Sequence, residues 1–326
     1  MNLVNSLFGT PIECTLTNAS DQKKIQDNVI RSYCWIHTTF SVESAWNKDL
    51  DLEVPYPGIG KHVLSSTEKR KYHAYYQWVW VVLFIQALFF YAPRWIWKTM
   101  ENGRVEALAQ PLWTYKNRSL IVKYLVNSRP QHNLWFFTYV VLEVLNLLNV
   151  IIQAIIIDKF LGHQFLTYGL DVIKFTDWKS RVSFDPMLKV FPRMTKCTFN
   201  DFGPSGDVTK YDAMCVLPIN IVNEKIYIFL WFWFCFLAVI SVLGLVYRLA
   251  TLVSPRVRQL STYSRKRIDD SETRNAVKSI IWSQGCGTWF FLELLSRNIE
   301  ALIFRKMLVE FDQATKGNNR ANFEQE

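Results

Sequence analysis

Apolar and polar positions fall in long alternating blocks along this chain of 326 residues. Ala74 to Pro93 runs for twenty residues without a formal charge. At about 1.5 Å of rise per residue, that is roughly 30 Å of helix, the thickness of a bilayer's hydrocarbon core. Aromatic rings crowd both ends: Tyr72, Tyr75, Tyr76 and Trp78 ahead, Tyr91, Trp95 and Trp97 behind, as in a headgroup-level belt. A second apolar block, Leu134 to Ile157, holds Glu143 as its one charge, and a third, Ile226 to Tyr247, holds none. One such block would suit a buried helix of a large soluble domain. Three predict membrane spans at 74–97, 134–157 and 226–252.

The polar blocks between them differ in kind. Residues 1–71 balance eight Lys and Arg against eight Asp and Glu, and 158–225 balance nine against eight. Residues 98–133 carry six basic and two acidic side chains, and Leu120, Ile121, Tyr124 and Leu125 share one helical face there. After the third span comes a basic run, Arg248, Arg256, Arg258, Arg265, Lys266 and Arg267, suited to anionic lipid. Trp289, Leu292, Leu295, Ile299, Leu302, Ile303 and Leu308 resume helical periodicity, with Asn298 as an internal cap. Residues 253–326 therefore read as a helical cap with a disordered tail. Gly203-Pro204-Ser205-Gly206 reads as a tight turn at a hairpin tip.

Charge orients the chain. The twenty residues before and after the third span hold two and six Lys and Arg, and those around the second hold four and two. Both place 98–133 and the C-terminus in the cytosol and leave 1–71 and 158–225 outside; the first span, with four before and three after, disagrees mildly. Cysteine placement agrees with the majority. Cys14 and Cys34 fall in one outer segment and Cys197 and Cys215 in the other, where disulfides persist. Their spacing lacks the short pairs that zinc favours, so structural disulfides are expected and no metal or cofactor. Spacing leaves all three connectivities open. Asn18-Ala19-Ser20 is an N-glycosylation acceptor, usable if its segment is lumenal.

Glu143, Asn146, Asn149 and Gln153 lie within about 120° of arc on the second span. An intramembrane polar stripe faces protein or water. It lines a pore or proton path, or it packs helix on helix through hydrogen bonds, the reading the balance favours. Pro93 interrupts the backbone ladder of its span and marks a kink or a helix end. The net charge of +9 is not stacked with aromatics on one segment, which argues against a nucleic-acid partner. No Ser/His/Asp set, HExxH or phosphate-cradling glycine loop points to an enzyme. The histidines at 37, 62, 73, 132 and 163 are scattered and read as surface or interface groups.

Particular residues carry a resemblance. Tyr75-Tyr76-Gln77-Trp78-Val79 at the head of a span resembles the signature of the innexins, the invertebrate gap-junction family. Tyr33-Cys34-Trp35-Ile36, Tyr91-Ala92-Pro93-Arg94-Trp95-Ile96-Trp97-Lys98, Thr167-Tyr168-Gly169, Asp185-Pro186-Met187, Val190 to Cys197 and Leu217 to Lys225 are similar to that family's pattern, in order, and closest to its insect members. The resemblance implies a mainly α membrane protein: a transmembrane helix bundle, disulfide-stapled extracellular loops containing short strands, and a helical cytoplasmic cap. It implies bridges between the two loops, Cys14–Cys215 and Cys34–Cys197, and a second span nearer the pore than the third. The partners it implies are other innexin subunits in a homo- or hetero-oligomeric ring (an octamer by the family), a docking ring on the adjacent cell, and membrane lipid.

The family has four spans and an N-terminal helix folded into the pore. Here three spans stand, and Val4 to Gly9 resembles the end of a first one. The expectation is therefore a plasma-membrane gap-junction or hemichannel subunit apparently lacking the N-terminal helix and first span. Its alternatives are a truncated, non-conducting partner that co-assembles with and modulates full-length innexins, or a disulfide-stapled adhesion protein or receptor.

Overall fold

The computed structural model describes residues 10–16, 25–49, 52–60, 69–112, 118–177, 185–203, 205–266, 268 and 270–323. Val4 to Gly9, Asn18, His62, Pro204 and Arg267 lie outside the described residues. In chain order the elements are β1 (Glu13–Leu16), α1 (Asp27–His37), β2 (Thr39–Val42), β3 (Arg70–His73), α2 (Val79–Glu101), α3 (Arg104–Leu112), α4 (Arg118–Asn127), α5 (Arg129–Phe160), α6 (Phe165–Asp177), α7 (Pro186–Val190), β4 (Met194–Phe202), β5 (Val208–Val216), α8 (Pro218–Val253), α9 (Pro255–Lys266), α10 (Ser271–Ser283), α11 (Cys286–Arg297) and α12 (Ala301–Phe323). Helices α2, α8 and Gln131–Phe160 of α5 are long and apolar enough to cross a membrane. Only 6 % of the apolar window of α8 is buried, so its surface is matched to lipid or to neighbouring subunits rather than to water.

The chain divides into two compact units, Met1–Gln86 with Ile151–Phe236, and Ala87–Val150 with Leu237–Glu326. The first is built on an antiparallel sheet in the order β1-β5-β4-β2-β3. Strands β4 and β5 form a long hairpin, paired from Met194 opposite Val216 to Phe202 opposite Val208. Its tip closes where Gly203 N–H donates to Asp207 O at 2.8 Å and Gly206 adopts φ +83°. Strands of four residues, such as β1 and β2, cannot stand alone in water; each is paired to the hairpin, β1 over a buried cluster of Ile12, Leu16, Ile30, Tyr76, Ala213 and Leu217 and β2 over one of Phe40, Val42, Ala45 and Val54.

Local chemistry accounts for several recurrent motifs. Asp185 caps α7, its carboxylate accepting from Met187 N–H at 2.9 Å with Pro186 following in the first turn. Asn220 donates its side-chain amide to Pro192 O at 2.7 Å, and Leu217 N–H donates to Arg193 O at 2.7 Å. Glu224 is fully buried and receives Arg193 Nη2 at 3.0 Å and Lys225 Nζ at 2.8 Å. A buried carboxylate needs such partners. Thr167-Tyr168-Gly169 places a buried tyrosine beside a residue that has no room for a side chain. A Cβ on Gly169 would stand 2.2 Å from the ring of Trp231, whose indole N–H donates to Leu166 O at 3.1 Å.

The second unit is helical. Its core joins α3, α4 and α10 to α12 through Val105, Leu125, Ile280, Trp289, Phe304 and Phe311, with Tyr263 of α9 packed against it. On α4, Ile121 and Leu125 turn inward while Tyr124 is largely exposed. Asp270 caps α10, accepting from Thr273 N–H at 3.1 Å and from its hydroxyl at 2.9 Å. The periodic stretch through 288–311 breaks where Asn298 ends α11, and α12 starts at Ala301. Two readings of the sequence change here. Helix α12 continues to Phe323, past the point where a disordered tail is expected. His73 and His132 are buried, at 1 % and 3 % exposure, rather than surface groups. His73 takes the inward side of the strand alternation in β3, and His132 stacks on Phe291 with centroids 4.4 Å apart.

Replacing Gly169 by Ala is expected to lower the thermal unfolding midpoint, with a cost of about 1–3 kcal/mol for the forced displacement of Trp231. Unfolding of the purified protein in detergent, followed by intrinsic fluorescence, reads this directly. A midpoint equal to that of the unaltered chain would refute the close packing described.

Candidate functional site

The sheet is bonded across its own strands. Cys14 on β1 stands directly opposite Cys215 on β5 and is bonded to it, with Cα atoms 4.1 Å apart. Cys34 on α1 is bonded to Cys197 on β4, with Cα atoms 5.9 Å apart. All four residues are at most 3 % exposed, so the bonds lie inside the core. The sulfurs of Cys14, Cys34 and Cys215 sit within 4.8 Å of one another, close enough for one metal ion. Each is already committed to a disulfide, which removes the thiolate a metal would need.

The signature Tyr75 to Val79 straddles the end of this core. Tyr75 to Gln77 form a 3-10 turn, and α2 starts only at Val79. The turn docks on the segment that carries Cys34: the Gln77 amide donates to Trp35 O, and Tyr76 packs on Trp35 at 5.0 Å. Tyr75 packs edge-on against Phe191 at 5.6 Å and Phe160 at 6.5 Å. Burial raises the pKa of both tyrosine hydroxyls, so they stay neutral. Trp78 remains 58 % exposed. The aromatics ahead of the span thus divide: Tyr75 and Tyr76 belong to the sheet core, and Trp78 and Tyr72 are left on the surface.

The polar residues of α5 do not act as one stripe. The Glu143 carboxylate meets Arg248 of α8 in a two-pronged pair, Nε to Oε2 at 2.8 Å and Nη2 to Oε1 at 2.7 Å. The guanidinium also lies over the rings of Tyr139 at 4.9 Å and Phe290 at 5.4 Å, so both its edge and its face are occupied. Asn149 donates to Phe89 O at 3.2 Å. That carbonyl is the one Pro93 would serve four residues later, and Pro93 has no N–H. Helix α2 runs on past Pro93 to Glu101, so the proline does not end it. Gln86 reaches Gln153 O at 3.5 Å, and Asn146 is exposed.

The basic run after the third span is used internally as well. Besides Arg248, Arg258 is buried and donates to Thr251 O at 2.9 Å and Leu252 O at 3.3 Å, closing the last turn of α8 where carbonyls lack helical partners. These two arginines serve the fold rather than lipid. Their positions in a basic run hide this, because their partners lie on other elements.

Helices able to cross a bilayer, together with a sheet locked by two disulfides, define a helical membrane protein with a covalently braced β domain. The chain belongs to the innexin family, whose model, described as Innexin, matches residues 2–314. It is similar to Innexin inx2 of Schistocerca americana, 40 % identical over 318 residues covering 95 % of this chain and 86 % of the relative. It is likewise similar to Innexin inx2 of Drosophila melanogaster, 40 % identical over 322 residues with 96 % and 85 % covered. Innexin shaking-B of Drosophila melanogaster is 42 % identical over 308 residues, with 92 % and 80 % covered.

Two outcomes follow from these contacts. Removing one member of the Glu143–Arg248 pair, as in E143L or R248M, is expected to cost about 3–5 kcal/mol, while the double variant E143L/R248M recovers most of it. A double-mutant cycle on unfolding midpoints checks this, and additive losses would contradict it. The second concerns His73, whose Nε2 lies 2.9 Å from Ser41 Oγ. Burial first, and Lys71 second, push its pKa from 6.5 down to about 3. The folded ring is therefore neutral where the unfolded ring would be protonated. Its contribution to stability is complete above pH about 6.5 and is lost as pH falls toward 3, by up to about 1.4 kcal/mol per unit. Unfolding midpoints measured across that window should fall with acidification, and H73Q should flatten the slope.

Proposed function

We propose that the chain is a subunit of a gap-junction channel or hemichannel of the plasma membrane. It assembles as a ring with other innexin subunits, eight by the family's pattern, and its ring docks on one in the adjacent cell. The observation that carries this reading is the covalent knitting of two distant segments into one sheet. Cys14 and Cys34 come from one side of α2 and α5 in the chain, and Cys197 and Cys215 from the other. The bonds require both segments on one face of the membrane, and two crossings by α2 and α5 return the chain to that face. An oxidising extracellular face is where such bonds persist.

A rigid sheet of this kind suits a docking surface, since ordering a loose loop on contact would cost binding energy. The passage itself needs no covalent chemistry. It is a water-filled route between subunits, selective by width and lining charge. The internal engagement of Glu143 supports placing that residue in helix packing rather than in the lining.

Expression in paired cells that lack endogenous innexins tests the reading. Rings seen by electron microscopy of the purified protein and passage of a small dye between the cells are expected. C14S and C34S are expected to abolish dye passage while leaving the chain in the membrane. A correctly inserted, disulfide-bonded chain that forms no ring would overturn the proposal.

A further inference from the structure

Between the sheet and the end of α5 lies a cleft of about 360 Å³, within the size range of small-molecule sites. Its lining mixes two cations with aromatic surface: Lys71, Lys159, Tyr72, Trp78 and Phe160 among others. Trp78 directly precedes α2, and Phe160 is the last residue of α5. Both helices are apolar enough to span a bilayer, so the cleft stands at the level where hydrocarbon gives way to headgroups.

The charge balance inside it is positive. Lys71 Nζ donates to Gln164 Oε1 at 2.9 Å, which uses one of its three protons. Among the described residues, neither Lys71 nor Lys159 enters an ion pair. Asp158, next to Lys159, is already occupied. Its carboxylate accepts from Phe165 N–H at 3.0 Å and Leu166 N–H at 3.1 Å, and His163 Nδ1 lies 3.0 Å away. Burial, and then the charge of Lys189, both lower the pKa of Lys71, against a smaller opposing pull from Glu43. A half-buried ammonium beside a second cation gains from an anion that enters the cleft.

We propose that this cleft holds the phosphate of an anionic phospholipid headgroup. The lysines take the phosphate, while Trp78, Tyr72 and Phe160 give the glycerol and upper chain region an amphipathic wall. A soluble phosphate could use the lysines but not that wall, which is why the lipid is the source argued for.

Native mass spectrometry of the full chain tests the assignment, with the protein released from micelles containing equal amounts of phosphatidate and phosphatidylcholine. Phosphatidate is expected to be retained at least about tenfold over phosphatidylcholine, a preference of about 1.4 kcal/mol. K71Q/K159Q should lose that preference and K71R/K159R should keep it. Equal retention of the two lipids, or a preference that survives K71Q/K159Q, overturns the proposal. Displacement of the lipid by glycerol phosphate at equal concentration overturns the lipid assignment in favour of a soluble phosphate. Non-reducing gels show whether each variant forms both disulfides. If K71Q/K159Q does not, the unaltered chain decides: phosphatidate must raise its unfolding midpoint relative to phosphatidylcholine, and no difference overturns the proposal.

Discussion

The pairing of β1 with β5 is the constraint on which the braced unit depends. Four residues of β1 meet four of β5 after an excursion of about two hundred residues, and Cys14–Cys215 closes that excursion with a sequence separation of 201. Cys34–Cys197 closes a second inside it, with a separation of 163. In a free chain, closing loops of this length would be worth about 5 kcal/mol each in the entropy model. The gain here is smaller, because helices already inserted in a membrane shorten the excursion before any bond forms. What the bonds secure is register. Cys14 can face Cys215 in only one alignment, and a slip by one residue would turn Ile12, Cys14 and Leu16 out of the core.

Within the helices the same economy of polar groups applies by different means. Hydrocarbon offers no water to satisfy a charge or a spare carbonyl. Glu143 is met by Arg248, and the carbonyl of Phe89, left over by Pro93, is met by Asn149. Each polar side chain in α5 that makes such a contact answers a need created on another helix. This is a physical reason for polar residues to sit on an apolar helix without a pore beside them.

The spans were legible because twenty apolar residues in a row admit few interpretations. Their edges were not. Aromatic side chains suit both a headgroup belt and a protein core, so the sequence alone starts the first span at 74, whereas Tyr75 to Gln77 fold into the sheet core and the helix starts at Val79. The end of α2 was hidden for the opposite reason: proline suggests termination, but a neighbouring helix supplies the hydrogen bond that it forfeits. Strand order was illegible, since β1 and β5 are partners only through distant contacts. The partners of Arg248 and Arg258 were hidden too, because a basic run next to a span suits lipid as well as it suits carboxylates and carbonyls. Burial of His73 follows from strand alternation over only four residues, too short a pattern to stand out.

The strand order also sets a timetable for synthesis. Among the described residues, strand β1 lies at the edge of the sheet with β5 as its one neighbour. It therefore has no strand to pair with until residue 216 has been made, by which time α2 and α5 are complete. Through most of translation Cys14 and Cys34 remain thiols on an unpaired segment, available to oxidoreductases and to wrong partners alike. The segment that carries Cys14 is thus open to error until β5 emerges, and helices α8 to α12 are made only after that point, so oxidative repair of this sheet can run while the rest of the chain is still being synthesised.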